Sequence, residues 1–362
     1  MNRPGFPIKS PAVWKGPEID WMKEDLHVLD TEGLQEIDRA LQHVLSLGNI
    51  DFPDITPETF PLEKMGAFMR NLPRRLATGH GFLMLRGLPR ARYSDDDMAR
   101  IYLGLSSYIS KPMVQSYLGD VLGHVIDVSD VEPKSRGYRK GGGLLMHTDS
   151  CDIVGLMCLR TGVSGGESRI ASAPAVFNHI AEHRPEVLDV LGKGLYLKRA
   201  DEDGRHATRT YSPDRVPFIT RNNGNVICYL PTGYARLAEK SGERPYTQEE
   251  SNALYHVRKV AASPELYLDM GFKEGDIQFL NNRMIVHGRT DYVDAEVIAE
   301  RRHMLRVWMS VAEWPPMPQS QIFHTAEDHR LWGQHRKPFS EFPSHHDANL
   351  EELRRENASM MD

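Results

Sequence analysis

Between about residues 144 and 311 the chain is a succession of apolar segments of five to nine residues set off by turn residues: "DIVGLMCLR", "ESRIAS", "GLYLKR", "VPFIT", "NVICYL", "GDIQFL", "MIVHGR" and "MLRVWMSV". Segments of that length and β-branched content read as strands, and the Asn223-Gly224 pair between two of them is a hairpin signal. Only two helical stretches interrupt the series, "PAVFNHIAEHRPEVLDVL" and "TQEESNALYHVRKVAAS", the second opened by a Thr247/Glu250 capping box. Many short strands with few intervening helices favour a jelly roll or barrel over a doubly wound sheet. The GxGxxG and Walker-type glycine loops that would accompany the latter are absent from the sequence.

The part ahead of the strands is mostly helical. "TEGLQEIDRALQHVLSLG" carries Leu34, Ile37, Leu41 and Leu45 near helical spacing, and Ser94 with Asp97 forms a second capping box. "GHGFLMLRGLP" predicts a strand over Phe82–Arg86, and "GHVIDVSD" a further short one. One structural domain is expected: residues 1–80 a helical segment packing on the core, 81–315 the strand-rich part, and 316–362 a peripheral arm with a terminal helix, a candidate contact for a homo-oligomer. A net charge of −6 and pI near 6.2 give no basic face for nucleic acid. The apolar runs fall far short of the roughly 20 residues that cross a bilayer. Three cysteines without CxxC spacing suit reduced thiols, hence a cytoplasmic protein.

The chemistry-bearing residues begin in "GGGLLMHTDS". With 16 histidines and 50 acidic residues in 362, chance alone supplies roughly two His-x-Asp/Glu pairs, and the chain has two, His147-x-Asp149 and His345-x-Asp347. The first gains weight from its surroundings. If its residues enter a strand, His147 and Asp149 point to one side. His287, ending an apolar strand and followed by Gly288, offers a third ligand. Two histidines and one carboxylate leave open positions on an octahedral ion and suit non-haem Fe(II) and oxygen chemistry. Arg302 and Arg306, four apart, share a strand face, and an inward arginine wants a carboxylate or phosphate. Tyr229 and Arg221, flanking the hairpin, are candidates for the substrate pocket. His345-x-Asp347 has no partners downstream and is assigned to a solvated tail, and the His179/His183 pair to an exposed helix face.

The ordered set His147-x-Asp149, "SGGES", "GDIQFLNNRMIVHGR" and "RRHMLRVW" resembles the TauD/TfdA branch of the Fe(II)/2-oxoglutarate-dependent dioxygenases, the clavaminate-synthase-like proteins, over roughly residues 80–310. The resemblance implies a mainly β protein with flanking helices (α+β) around a double-stranded β-helix, the cupin-like jelly roll. It implies Fe(II) held by His147, Asp149 and His287, and 2-oxoglutarate held by Arg302, with Ser168 supplying the hydroxyl that a threonine provides elsewhere in the family. Arg306 matches an arginine that binds the substrate anion in sulfonate-oxidising members. The implied reaction consumes O2 and 2-oxoglutarate, releases succinate and CO2, and oxidises a C–H bond of a small molecule. Retention of Asp149 favours hydroxylation or desaturation over halogenation.

The residues taken alone leave two rivals open: a cupin-like metal protein of another class, such as a hydrolase or isomerase, and a non-catalytic small-molecule binder. The substrate is not legible. Gly141–Gly143, ahead of His147, are read as a flexible approach whose motion could admit substrate over the metal.

Overall fold

The computed structural model describes residues 5–130, 137–200, 207–222, 225–336, 338 and 344–359. Two sheets form its centre. The larger runs in the order Leu26–Val28, Phe82–Arg86, Ile277–Asn281, Ile153–Arg160, His303–Met309 and Pro112–Met113, with Gly123–Ile126 also paired to His303–Met309. The smaller has the order Tyr267–Met270, Ser168–Ser172, Ile285–Arg289 and Leu144–His147.

Period-two alternation explains the layering. In the larger sheet Leu83, Leu85, Met157, Ile277, Phe279, Leu305 and Val307 turn outward, against Ile37, Leu41, Met69, Leu72 and Met98 of the helices Thr31–Ser46, Lys64–Thr78 and Asp95–Ser107. The intervening Phe82, Met84, Val154, Leu280 and Trp308 turn inward and meet Ile170, Met270 and Ile285 of the smaller sheet. The far face of the smaller sheet is covered in turn: Ala171 and Val286 pack with Phe177, Leu188, Leu191 and Val257 from the helices Ala173–His183, Pro185–Lys193 and Gln248–Ala261. Two facing sheets flanked by helices are the jelly roll expected from the strand pattern, with the double-stranded β-helix at its centre.

Local expectations resolve for identifiable reasons. Both capping boxes, Ser94/Asp97 and Thr247/Glu250, are formed. The stretch expected as one helix from Pro174 breaks at Arg184 (φ −144°, ψ 61°), because Pro185 excludes the α conformation from the residue before it. "GLYLKR" makes only the isolated bridges Leu195 to Val216 and Lys198 to Tyr211. Ile219–Asn222 and Asn225–Cys228 pair antiparallel, while Asn223 and Gly224 lie outside the described residues. Tyr267–Met270, unanticipated, is the edge strand beside Ser168–Ser172.

The C-terminal region requires a correction. His345 and Asp347 do open a helix, His345–Ser359, but His345 is not in a solvated tail. Its Nδ1 lies 2.9 Å from Nε2 of His124, and Leu350 and Leu353 of the same helix are buried. Asp347 stays exposed and accepts a hydrogen bond from Ser344.

Candidate metal and co-substrate site

His147 closes the strand Leu144–His147, and its register partner on the neighbouring antiparallel strand is His287. Directly opposed residues share a sheet face, so the two imidazoles stand side by side with ring centroids 4.5 Å apart. The close approach depends on Gly288: a Cβ there would lie 2.5 Å from the carbonyl oxygen of Leu144. Asp149 lies just beyond the strand end, where Asn282 grips its backbone by accepting from its N–H (2.9 Å) and donating to its carbonyl (2.6 Å). Thr148 is fixed as well, through backbone and hydroxyl bonds to Leu230.

One Asp149 oxygen is 3.7 Å from His147 Nε2, the other 3.7 Å from His287 Nε2, and one ligand atom from each of the three residues falls within 4.8 Å of the others. Burial alone would raise the Asp149 pKa. The Arg306 guanidinium, His287 and His147 outweigh it and hold the carboxyl well below the usual carboxylate range. Burial, reinforced by His287, pushes His147 down to about 4, so its ring is neutral near pH 7. The His147 Nδ1–H donates to the Leu145 carbonyl (2.8 Å), which leaves the Nε2 lone pair facing the group. Two imidazoles and one ionised carboxylate are the donor set a divalent transition metal takes.

A second cluster, His124, His303 and His346, has similar spacing but different chemistry. Arg160, which can only donate, lies 3.0 Å from His303 Nδ1. That fixes the tautomers in sequence: His303 Nε2–H donates to His124 Nδ1 (2.8 Å), and His124 Nε2–H donates to His345 Nδ1 (2.9 Å). The lone pairs of His303 Nδ1, His124 Nδ1 and His345 Nδ1 are thereby used. The chain of neutral rings is a structural tie between two core strands and the C-terminal helix.

Beside the two imidazoles is a cavity lined by His147, Ser168, His287, Arg289, Arg302 and Arg306 together with Leu156, Phe272 and Met304. Arg302 is buried (6% exposed). Its Nη2 donates to the Gly166 carbonyl (3.0 Å), and no carboxylate contacts its guanidinium among the described residues. Burial, then the neighbouring Arg289, lowers its pKa to about 10. Arg301, one residue earlier, instead pairs with Asp130 at 2.7 Å on the other side of the chain. Ser168 lines the cavity with its O–H donated to Gln278 Oε1 (2.8 Å).

A second cavity, of about 220 Å³, abuts the carboxylate and is lined by Asp149, Ser150, Tyr229, Arg283, Gln321 and His324, among others. Ser150 Oγ lies 3.1 Å from the Tyr229 hydroxyl and 2.6 Å from His324 Nδ1. Tyr229 and Arg306, paired in sequence as substrate residues, therefore line different cavities: Arg306 faces the one with Arg302, its Nε donating to Gln115 Oε1 (2.8 Å) and its Nη1 lying 3.5 Å from Asp149. Arg221 borders neither; it is exposed and donates to the Gly5 carbonyl. The glycine segment before His147 is tied down, with Arg289 donating to the carbonyls of Lys140 and Gly142 and the Gly143 N–H donating to Asp291.

Arg289, Trp308 and His324 were missed in sequence. The first two were within reach, being two residues beyond His287 and Arg306 on the same strand faces. His324 belongs to an irregular segment and had no such signal.

Comparison with known proteins gives the family. Residues 49–308 match the family model described as "Taurine catabolism dioxygenase TauD, TfdA family". The "Taurine hydroxylase-like protein SAT17" of Stachybotrys chartarum is 33% identical over 320 residues, covering 83% of this chain and 79% of that protein. The "FR-33289 synthase" of Streptomyces rubellomurinus is 26% identical over 329 residues, 88% of this chain and 94% of that protein. Among solved structures, an asparagine oxygenase in complex with Fe(II), 3-hydroxyasparagine and succinate superposes with a TM-score of 0.62 at 15% identity, over 79% of this chain and 93% of that one. The non-haem iron oxygenase OrfP, with Fe and α-ketoglutaric acid, gives 0.55 at 17% identity over 79% and 94%. The chain belongs to the TauD/TfdA family, and is thus an Fe(II)/2-oxoglutarate-dependent dioxygenase.

Proposed function

We propose that His147, Asp149 and His287 hold Fe(II), that Arg302 receives the distal carboxylate of 2-oxoglutarate with Arg289 behind it, and that a small molecule bound in the Tyr229 cavity is hydroxylated. The observation that carries the reading is Arg302: a buried guanidinium without a carboxylate, facing a cavity that shares its wall with two of the three ligands. A buried unpaired charge is costly, and a dicarboxylate offsets it. The same observation favours an oxygenase over a hydrolase or isomerase on this scaffold, neither of which requires a dicarboxylate beside its metal.

When bound, iron with 2-oxoglutarate supplies oxygen activation coupled to decarboxylation, yielding succinate, CO2 and an oxidised C–H bond. The chain's own residues prepare that site. Leu145 sets the His147 tautomer, and Asn282 holds the Asp149 backbone. Arg306 sustains the ionised carboxylate. Ser168 forms part of the co-substrate wall, its hydroxyl free to turn from Gln278 to a carboxylate oxygen. Ser150, Tyr229 and His324 present polar groups that orient the substrate beside Asp149. The relatives named above include an asparagine oxygenase and OrfP, whose complexes hold hydroxylated amino acids, and a polar small molecule is the corresponding substrate class here.

The test is anaerobic addition of Fe(II) and then 2-oxoglutarate. A weak visible charge-transfer band appears in the wild-type protein and is missing in Asp149→Ala, and in air the wild type forms succinate. No band and no succinate would sink the reading.

A further inference from the structure

We infer that Trp308 is a positioning residue for Asp149, holding one carboxylate oxygen away from the metal so that Asp149 ligates through Oδ1 alone. The inference rests on the iron site proposed above and adds a residue and a task to it.

The position of the carboxylate does not by itself choose between its oxygens, since His147 Nε2 lies 3.7 Å from Oδ1 and His287 Nε2 lies 3.7 Å from Oδ2. Nor does the backbone choose. Asp149 is past the end of its strand, and Asn282 fixes its main chain while leaving the side-chain torsions free. The donors break the symmetry. Trp308 Nε1–H donates to Oδ2 at 2.9 Å and Arg306 Nη1 lies 3.5 Å from the same oxygen, whereas Oδ1 receives no hydrogen bond among the described residues.

Trp308 suits the task. It is 2% exposed, its ring packs between the two sheets, and the strand His303–Met309 aims it to the same side as Arg302 and Arg306. Indole N–H is donor only, so it can occupy a carboxylate oxygen but cannot itself ligate a metal. Being neutral, it restrains the carboxylate without cancelling the charge the metal needs. Arg306, whose guanidinium carbon is 4.9 Å from the centroid of the Trp308 ring, makes the longer contact to Oδ2.

The consequence follows from counting positions on an octahedral ion. Two imidazoles and a one-oxygen carboxylate would leave three, enough for a 2-oxoglutarate chelate and for oxygen. A carboxylate that swung round to bind through both oxygens would fill one of these. Trp308 thus keeps the oxygen position open, and its loss spares iron and co-substrate binding while impairing binding of a diatomic ligand.

The experiment uses nitric oxide as the probe for the oxygen position, read as the S = 3/2 EPR signal of the full-length protein loaded anaerobically with Fe(II) and 2-oxoglutarate. Trp308→Phe is compared with the protein carrying the benzothiophene analogue of tryptophan at position 308, which keeps the shape and replaces only the N–H. In both, at saturating Fe(II), the 2-oxoglutarate charge-transfer band should persist, while nitric oxide affinity falls by about tenfold or more. Because the analogue preserves packing, a folding defect of the phenylalanine variant does not blunt the test. A normal band with unchanged nitric oxide affinity in the analogue overturns the inference alone. Absence of the band in the wild-type protein overturns the iron site and this inference with it.

Discussion

Arg289 and Arg302 lie against the same ring, that of Tyr292, with guanidinium carbons 4.7 and 5.6 Å from its centroid. Arg289 lies on a strand of the smaller sheet and Arg302 just ahead of the strand His303–Met309 of the larger, and both line one cavity beside the two imidazoles. Arg289 spends its hydrogen bonds on the Lys140 and Gly142 carbonyls, which leaves Arg302 to receive an anion. Truncating one partner of a buried, hydrogen-bonded charge pair costs about 2–4 kcal/mol, so Arg302→Ala should raise the KM for 2-oxoglutarate roughly 30- to 1,000-fold. Iron affinity, measured without co-substrate, should stay within about threefold, since Arg302 touches none of the three ligands. Arg301→Ala is the control: its partner Asp130 is half exposed, and KM should barely move.

Metal binding should appear as stability. A ligand held only by the folded state adds RT ln(1 + [L]/Kd), about 2.7 kcal/mol at a hundredfold excess over Kd. Anaerobic Fe(II), or a redox-inert divalent substitute, should therefore raise the Tm, and a chelator should reverse the rise. His287→Ala and Asp149→Ala should abolish the response. A full response in either variant would move the metal elsewhere.

Much of this site was legible because it lies on strands. Alternation puts His287 and Arg289 on one face of their strand and Arg302, Arg306 and Trp308 on one face of theirs, and applying the rule two residues further would have found Arg289 and Trp308. The His147-to-His287 register was not legible, because pairing partners 140 residues apart leave no local trace. The wall of the second cavity was hidden for another reason: His324 is held in an irregular segment by the Arg199–Asp328 pair and by Ser150, contacts without periodicity. His345 was misread because the buried side of its helix is built from histidine, Asn349 and two leucines, a face that looks polar in sequence.

The histidine chain makes stability fall with acid. Burial lowers His124 and His303 well below their ordinary value, His346 to about 4 and His345 to about 3. A histidine whose folded pKa is depressed contributes full stability above the unfolded value near 6.5, and loses it as pH falls toward the folded value, because the unfolded chain binds more protons. At pH 5 the loss is at most about 2 kcal/mol for each histidine. Arg139, Arg160 and Arg336 repel the incoming protons and steepen it, whereas Asp347 eases protonation of His346 and Asp95 does so more weakly. Asp96, which accepts from the His345 N–H, and Asp120 are raised by burial and work in the opposite sense. Urea denaturation from pH 8 to 5 should show the decline, and His345→Gln should flatten it. Identical slopes in the two proteins would dissociate acid sensitivity from this helix.

The buried Arg199–Asp328 pair governs the second cavity. Both side chains are fully buried, with the contact at 2.6 Å. Asp328 also accepts from the N–H and hydroxyl of Thr208 and caps the helix Ala326–Gly333 through Thr325. Arg199 donates in addition to the carbonyl of Phe323, the residue before His324. Removing one member leaves an uncompensated buried charge, so Asp328→Ala should cost about 3–5 kcal/mol in equilibrium unfolding. Asp328→Asn, which keeps the acceptor oxygen, should cost less. Because neither residue makes a hydrogen bond or ion pair to a metal ligand among the described residues, either variant that still folds should retain the 2-oxoglutarate charge-transfer band while releasing less succinate in response to substrate. Loss of the band in a folded Asp328→Asn protein would show that the two cavities are not independently held.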